Sequence, residues 1–148
     1  MRRTARELGD ILREGGVEPF AMTTGSKGIH VVVALQRRHA FDAVRDAAVA
    51  VAAELVARRP NELTTEFYKR KREGRLFVDV NRNAYAATAV PAYAVRPLAG
   101  APVATPLQWD ELADRRLSAQ RWTIRTVLER DPEVWAALPT AAAGLPRL

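Results

Sequence analysis

The segment Thr24-Gly25-Ser26-Lys27-Gly28, followed by His30, carries the residue types needed to bind an anion. Two glycines allow positive φ and can expose backbone N–H groups, Lys27 adds a positive charge, and Thr24 and Ser26 supply hydroxyls. This combination suits a triphosphate. It is not a Walker loop, because the lysine precedes the second glycine and a strand is expected to follow. A glycine-rich hairpin with a solvated lysine and a structural histidine is the alternative, and these residues alone leave both open.

Asp79 is a candidate ligand for Mg²⁺ or Mn²⁺, because it ends an apolar segment over residues 76–80 and hard cations prefer oxygen ligands. The alternative is an aspartate that opens an asparagine-rich turn. Arg82 and Asn83 follow directly, and Arg96 lies further along the chain. Taken one at a time, both arginines are equally consistent with ordinary surface charges.

The run from Lys69 to Arg75 holds five positive charges and one negative charge in seven residues. It suits contact with a phosphate backbone, and a solvated hairpin tip is the alternative. The chain as a whole has a formal net charge of +6, with twenty arginines against three lysines. Guanidinium groups bind phosphate oxygens in a bidentate way, but a GC-rich coding bias would give the same composition.

The absence of cysteine excludes disulfides, thiolate catalysis and cysteine-bound zinc, and two histidines are too few for a multi-histidine metal site. Any metal must therefore bind mainly to carboxylates. The apolar runs are much shorter than the ~20 residues of a membrane span. Asp10 and Glu14 interrupt what would be the apolar region of an export signal, so we expect a cytoplasmic protein without a membrane partner.

Hydrophobic spacing predicts the elements that position these residues. Leu8, Ile11 and Leu12 predict an amphipathic helix over 4–14. The β-branched segment 29–35 is apolar on both faces, which favours a covered central strand. The other predicted elements are strands over 18–23 and 76–80, a helix over 40–58, edge strands and turns over 84–108, and helical segments over 110–117 and 124–128. These patterns predict a single α/β (α+β) domain over 1–148, with a mixed, largely antiparallel sheet flanked by helices and a frayed tail over 139–148.

Four segments in their order resemble the polymerase domain of bacterial DNA ligase D, a member of the archaeo-eukaryotic primase superfamily. They are TTGSKGIHVVVAL, RKREGRLFVDVNRNAYAATAVPAYAVR, GAPVATPLQWDEL and RWTIRTVLERDPEVW, which together span nearly the whole chain. The resemblance implies a DNA-end repair polymerase that transfers nucleotides in nonhomologous end joining. Its implied ligands are a nucleoside triphosphate, DNA ends and Mn²⁺ or Mg²⁺.

The resemblance also implies roles for single residues. Thr24, Lys27 and His30 match positions that contact the phosphates of the incoming nucleotide, with threonine in place of the usual serine. Asp79 matches a metal-binding catalytic aspartate, beside His30 as the second catalytic residue. Arg82, Asn83 and Arg96 match residues of the phosphate site, and Ser26 adds a hydroxyl to the same loop. Leu98 stands where the family often has a second arginine.

Two features of the family are missing from the sequence. It contains no Asp-x-Asp motif, which in the family precedes the helix predicted here over 4–14. The preceding half of the domain is absent as well, so the chain resembles the C-terminal half of a polymerase domain. Two-metal phosphoryl transfer places dications roughly 3.5–4 Å apart and needs several carboxylates to hold them. We therefore expect Asp79 alone to bind metal weakly.

Two functions remain open at this point. One is a repair polymerase whose missing half comes from a second chain or from a wrongly excluded upstream coding region. The other is a non-catalytic half-domain that binds nucleotide or DNA phosphates, or a subunit that needs a partner chain such as a ligase or an end-binding protein. The sequence decides neither whether the chain is an enzyme by itself nor whether it prefers ribose or deoxyribose. Its oligomeric state is equally open.

Overall fold

The computed structural model describes residues 1–147, which form two helices, a three-stranded antiparallel sheet and a separate parallel strand pair. The helices are α1 (Arg2–Glu14) and α2 (Phe41–Arg58), and the strands are β1 (Pro19–Thr23), β2 (Ile29–Val33), β3 (Leu63–Thr64), β4 (Leu76–Phe77) and β5 (Pro106–Leu107). Four short 3₁₀ turns complete the fold, at Lys69–Lys71, Trp109–Ala113, Val127–Glu129 and Pro132–Trp135. This architecture confirms the mixed α/β fold with a largely antiparallel sheet.

The two helices cover one face of the sheet. Ile11 of α1 and Leu55 of α2 are buried in one cluster, against which Val31 and Val33 of β2 pack. Because side chains alternate along a strand, His30 and Val32 point to the opposite face. The helix predicted over 40–58 is buried only in its second half, at Val51, Ala52 and Leu55, and Phe41 at its start is exposed.

The position of β2 differs from the prediction. The sheet order is β2-β1-β5, so β1 is central and β2 lies at an edge, and all five residues of β2 are only half-buried. The central place goes to β1 because its Thr23 exchanges backbone hydrogen bonds with Thr105, at 2.9 and 3.1 Å, just before β5. Beyond β2, Leu35 forms a single bridge to Ala143.

The segment predicted as a strand over 76–80 is regular only at Leu76 and Phe77. These residues pair in parallel with Leu63 and Thr64, so the basic run between the two strands is a crossover loop and not a hairpin tip. Val78 still donates its N–H to the Thr64 carbonyl at 2.9 Å and packs on the helix-covered core. Pairing stops there because the next residues turn.

The C-terminal segment, predicted to fray over 139–148, makes backbone hydrogen bonds to the rest of the chain in its described part. Ala143 donates to the Ala34 carbonyl at 3.1 Å and accepts from Gln36 at 2.8 Å, and Arg147 donates to Gly15 at 3.1 Å. These bonds fix the segment against the β2 edge and the end of α1. Residue 148 lies outside the described residues. The helical segments predicted over 110–117 and 124–128 are 3₁₀ turns.

Candidate functional site

The candidate site begins at the turn between β1 and β2, which is organised by the hydroxyl of Thr24. The Thr24 oxygen accepts the N–H groups of Ser26 at 3.3 Å and Gly28 at 3.0 Å, and the hydroxyl donates to the Gly28 carbonyl at 3.1 Å. The Thr24 N–H also donates to the Gly28 carbonyl, at 3.0 Å. The loop is therefore prearranged, and two N–H groups predicted to face an anion are used inside it. The nucleotide-binding roles of Thr24 and Ser26 stay predictions.

Gly25 packs directly beneath Arg96. It has φ of +63°, and a Cβ placed on it would lie 2.7 Å from Cγ of Arg96 and 3.0 Å from the Ala104 nitrogen. Arg96 is held there because its N–H donates to the Pro102 carbonyl at 2.8 Å and the flanking Val95 bridges to Val103. The arginine and the glycine loop, 71 positions apart, thus form one surface, with exposed Lys27 in the same loop.

His30 is the residue on which the charges of the site act. Burial lowers its pKa below the ordinary 6.5, the negative charge of Asp79 raises that pKa, and the positive charge of Arg96 lowers it. These effects require both charged groups to lie close to the imidazole. The structure therefore brings Asp79 and Arg96 close enough for their charges to act on His30, and the net lowering of its pKa favours the neutral imidazole.

The Asp79 segment approaches from the other strand pair. Val78 packs into the core, and its neighbour Asp79 lies near enough to His30 for its charge to act on the imidazole. One carboxylate oxygen of Asp79 accepts the Asn81 N–H at 3.0 Å, and Asn83 folds back on the Val80 carbonyl through both its N–H and its side-chain amide. Asp79 therefore opens an asparagine turn while its carboxylate remains exposed.

Lys27 and Arg82 are less closely tied to the site. Both are exposed, and within residues 1–147 the charges that act on His30 are those of Asp79 and Arg96. Sequence reasoning missed Gln120, whose side-chain amide donates to the Ser26 carbonyl at 3.1 Å and braces the loop. No local pattern could have found this contact, because it joins residues 94 positions apart.

A divalent cation lacks a complete protein site in the described part of the chain. Within residues 1–147, no group of three or more histidine, aspartate or glutamate side chains converges on a point where a metal would bind. Asp79 contributes one carboxylate, and one of its oxygens already accepts a backbone N–H. These donors do not fit a resident two-metal centre. Neither helix described within residues 1–147 combines the length and the apolar character of a membrane span.

Comparisons with known proteins identify the fold. The polymerase domain from Mycobacterium tuberculosis Ligase D, solved in complex with DNA, superposes with a TM-score of 0.80 and 29% sequence identity, over 96% of this chain and 50% of that one. This chain matches the C-terminal part of that domain. The fold is therefore that of a primase-type polymerase domain.

The sequence comparisons agree. The multifunctional non-homologous end joining protein LigD of Pseudomonas aeruginosa is 38% identical over 124 residues, which are 84% of this chain and 15% of that protein. The homologue from Mycobacterium tuberculosis is 30% identical over 151 aligned positions, covering all of this chain and 20% of that protein. A family model described as LigD, primase-polymerase domain, matches residues 1–135. The chain belongs to this family, and it spans a fifth or less of these two relatives.

Proposed function

We propose that this chain is the nucleotide-binding part of a DNA-end repair polymerase that acts in nonhomologous end joining. The observation that carries the proposal is the convergence of His30, Asp79 and Arg96 beside a prearranged glycine loop, in a member of the LigD primase-polymerase family. Relatives are named as end-joining proteins, and the structural neighbour was solved with DNA. These names support DNA ends as the partner.

In this proposal the residues of the site bind and orient the triphosphate. Arg96 and Lys27 supply positive charge for phosphate oxygens, and Arg82 extends that charge along the turn after Asp79. The lowered pKa of His30 favours a neutral ring, which offers its N–H to a phosphate oxygen, and the approach of negative charge raises that pKa again. Positioning and electrostatic stabilisation provide most of the catalysis in phosphoryl transfer, so such a cradle supplies one part of a polymerase site.

The proposed cofactor is Mn²⁺ or Mg²⁺, and the proposed source of further ligands lies outside these residues. Asp79 alone gives weak binding, because a single carboxylate neutralises little of a dication's charge. Further carboxylates would have to come from the remaining half of the polymerase domain, on a second chain or on another segment. A ligase or an end-binding protein is a further candidate partner for that assembly.

The charged side chains of the site also favour a second function. With one carboxylate and several cations, the described residues suit binding of nucleotide or DNA phosphates better than turnover. The alternative is therefore a non-catalytic half-domain that binds these phosphates, alone or with a partner chain.

Two assays on the purified chain separate these functions. The first is template-dependent extension of a primer on DNA with a 5′ overhang, with Mn²⁺ present. The second is thermal unfolding with and without triphosphate, since a ligand at 100 times its Kd stabilises the folded state by about 2.7 kcal/mol. Extension supports the polymerase, and stabilisation without extension supports the binding half-domain. The absence of both would contradict the proposal.

A further inference from the structure

A cavity of about 370 Å³ lies between the start of α1 and the segment that follows the 3₁₀ turn Trp109–Ala113. Four arginines line it, and no acidic side chain does so within residues 1–147. The arginines are Arg2, Arg3, Arg6 and Arg115. The other side chains around the cavity are apolar, and two of them, Leu112 and Leu117, are buried. A concave surface that carries charge of one sign concentrates ions of the opposite sign, so this cavity favours an anion.

Two of the four arginines are already engaged by other groups. The Arg2 guanidinium donates to the backbone carbonyl of Asp114, which fastens α1 to the segment that carries Arg115. Arg3 pairs with the carboxylate of Glu7 at 2.8 Å. These two side chains therefore fix the walls of the cavity and leave the other two arginines to bind a ligand.

Arg6 and Arg115 are the two arginines without a counter-charge. Both are exposed, and neither forms an ion pair with a carboxylate in the part of the chain that the structure describes. The neighbouring Arg116 differs, because Asp114 at 3.5 Å offsets its charge. Two positive charges on different walls of one cavity repel each other, and an anion between them removes that repulsion.

The cavity lies on the opposite face of the sheet from the candidate nucleotide site. Leu112 and Leu117 belong to a buried cluster against which Val31 of β2 packs. Side chains alternate along the regular strand β2, so Val31 and His30 point to opposite faces. An anion in the cavity would therefore not occupy the site around His30.

We propose that Arg6 and Arg115 form a second anion site, which binds a phosphate group. A guanidinium presents paired N–H donors that match two oxygens of one anion. A carboxylate has two oxygens in one plane, whereas a phosphate group presents oxygens in several directions and can accept from donors on two walls. The cavity falls within the ~300–1,000 Å³ of small-molecule sites, so we expect diphosphate to bind more tightly than a single phosphate. This inference does not depend on the proposed function.

The test is calorimetric titration of the full chain with inorganic diphosphate, without metal, in the Arg96→Ala variant, in which the candidate nucleotide site is weakened. Adding Arg6→Ala or Arg115→Ala should weaken diphosphate binding about tenfold or more, because each removes hydrogen bonds between charged groups. Arg6→Lys should lose less, since lysine keeps the charge without the paired donors. Arg116→Ala is the matched control, because Arg116 is next to Arg115 but already pairs with Asp114, and it should leave binding unchanged.

A short DNA duplex, added as a competitor, identifies the source of the phosphate. Displacement of diphosphate by the duplex, with the salt slope of duplex binding reduced by about 0.9 in Arg6→Ala, would support the site and assign it to nucleic-acid phosphates. Retention of diphosphate in the presence of the duplex would support the site and assign it to a free phosphate compound.

Three results would each overturn the proposal. They are equal affinity for phosphate and the dicarboxylate malonate, two anions of similar charge, unchanged diphosphate binding in both Arg6→Ala and Arg115→Ala, and an equal loss in Arg116→Ala. Triphosphate binding at the site around His30 is expected to persist in Arg6→Ala with Arg96 intact. Failure of the proposed function would therefore be seen separately from failure of the second site.

Discussion

Arg96 lies directly over Gly25, with so little space between them that a Cβ on the glycine would approach Cγ of the arginine to 2.7 Å. This contact joins the loop between β1 and β2 to a segment 71 positions later. It holds Arg96, a candidate phosphate-binding residue, against the loop backbone that would bind the same phosphate. Gly25 is therefore required for two reasons, its positive φ and the side chain above it.

Gly25→Ala should destabilise the protein more than Gly74→Ala. Both glycines have positive φ, +63° and +79°, but nothing lies within 4 Å of a Cβ at Gly74. The left-handed conformation alone costs about 1–2 kcal/mol, and overpacking at Gly25 adds about 1–3 kcal/mol. Urea unfolding measures both variants. Equal losses would show that the contact with Arg96 is unimportant.

Asp79 and Arg96 should shift the pKa of His30 in opposite directions. Asp79→Asn removes the charge that raises the pKa and should lower it further, while Arg96→Ala should raise it. An NMR titration of the imidazole measures both shifts, and a His39→Gln variant assigns the signals of the other histidine. An unchanged His30 pKa in Asp79→Asn would place the carboxylate outside the site.

The lowered pKa of His30 also predicts a pH dependence of stability. Because the folded pKa lies below the ordinary 6.5, the unfolded chain binds more protons between the two values. The free energy of unfolding should therefore fall as the pH drops below 6.5 and level off below the folded pKa. His30→Gln should remove this part of the pH profile, measured by urea unfolding from pH 7.5 to 5. A profile identical to that of the wild type would mean that His30 is not responsible.

Arg130 should contribute strongly to the free energy of unfolding, because its side chain binds Pro106 of β5, which lies far from it in sequence. Its guanidinium pairs with both carboxylate oxygens of Glu111 at 2.5 and 2.8 Å, donates to the Pro106 carbonyl at 2.7 Å and stacks on Trp122. The side chain is only 15% exposed. Arg130→Ala should cost about 1.5–3 kcal/mol, as expected for hydrogen bonds to charged groups.

Arg116 is the control for Arg130, since its 80% exposed side chain pairs with Asp114 at 3.5 Å. Surface pairs of this kind contribute about 0–1 kcal/mol. Similar unfolding midpoints for Arg116→Ala and Arg130→Ala would show that burial and the double contact do not matter here.

The local parts of the fold were predictable from the sequence. The spacing of Leu8, Ile11 and Leu12 predicts α1, and the apolar segments on either side of the turn from Thr24 to Gly28 predict β1 and β2, because these signals lie within a few neighbouring residues. The long helix was also predicted, within one residue at its start.

The non-local parts were not predictable in the same way. An apolar strand such as β2 has the same sequence pattern at the centre and at the edge of a sheet. Only the pairing of Thr23 with Thr105 places β1 in the middle. The parallel pairing of β3 with β4 and the packing of Arg147 against Gly15 depend equally on distant residues. In the site, Gln120 carries no sequence signal. Local residue types make His30 and Asp79 candidates, and the family resemblance is what gives them and Arg96 a shared role.

Calorimetric titration with a nucleoside triphosphate tests the central claim most directly, because the claim is that the glycine loop, His30 and Arg96 form one phosphate pocket. We predict binding accompanied by proton uptake near pH 6.5, seen as heats that vary with the ionisation enthalpy of the buffer. Arg96→Ala should weaken binding about tenfold or more, since hydrogen bonds between charged groups contribute about 1.5–3 kcal/mol. His30→Gln should abolish the proton uptake, and Arg125→Ala, at an exposed arginine outside the site, should change neither. Absence of binding at millimolar triphosphate, or binding unaffected by Arg96→Ala and His30→Gln, would contradict the account.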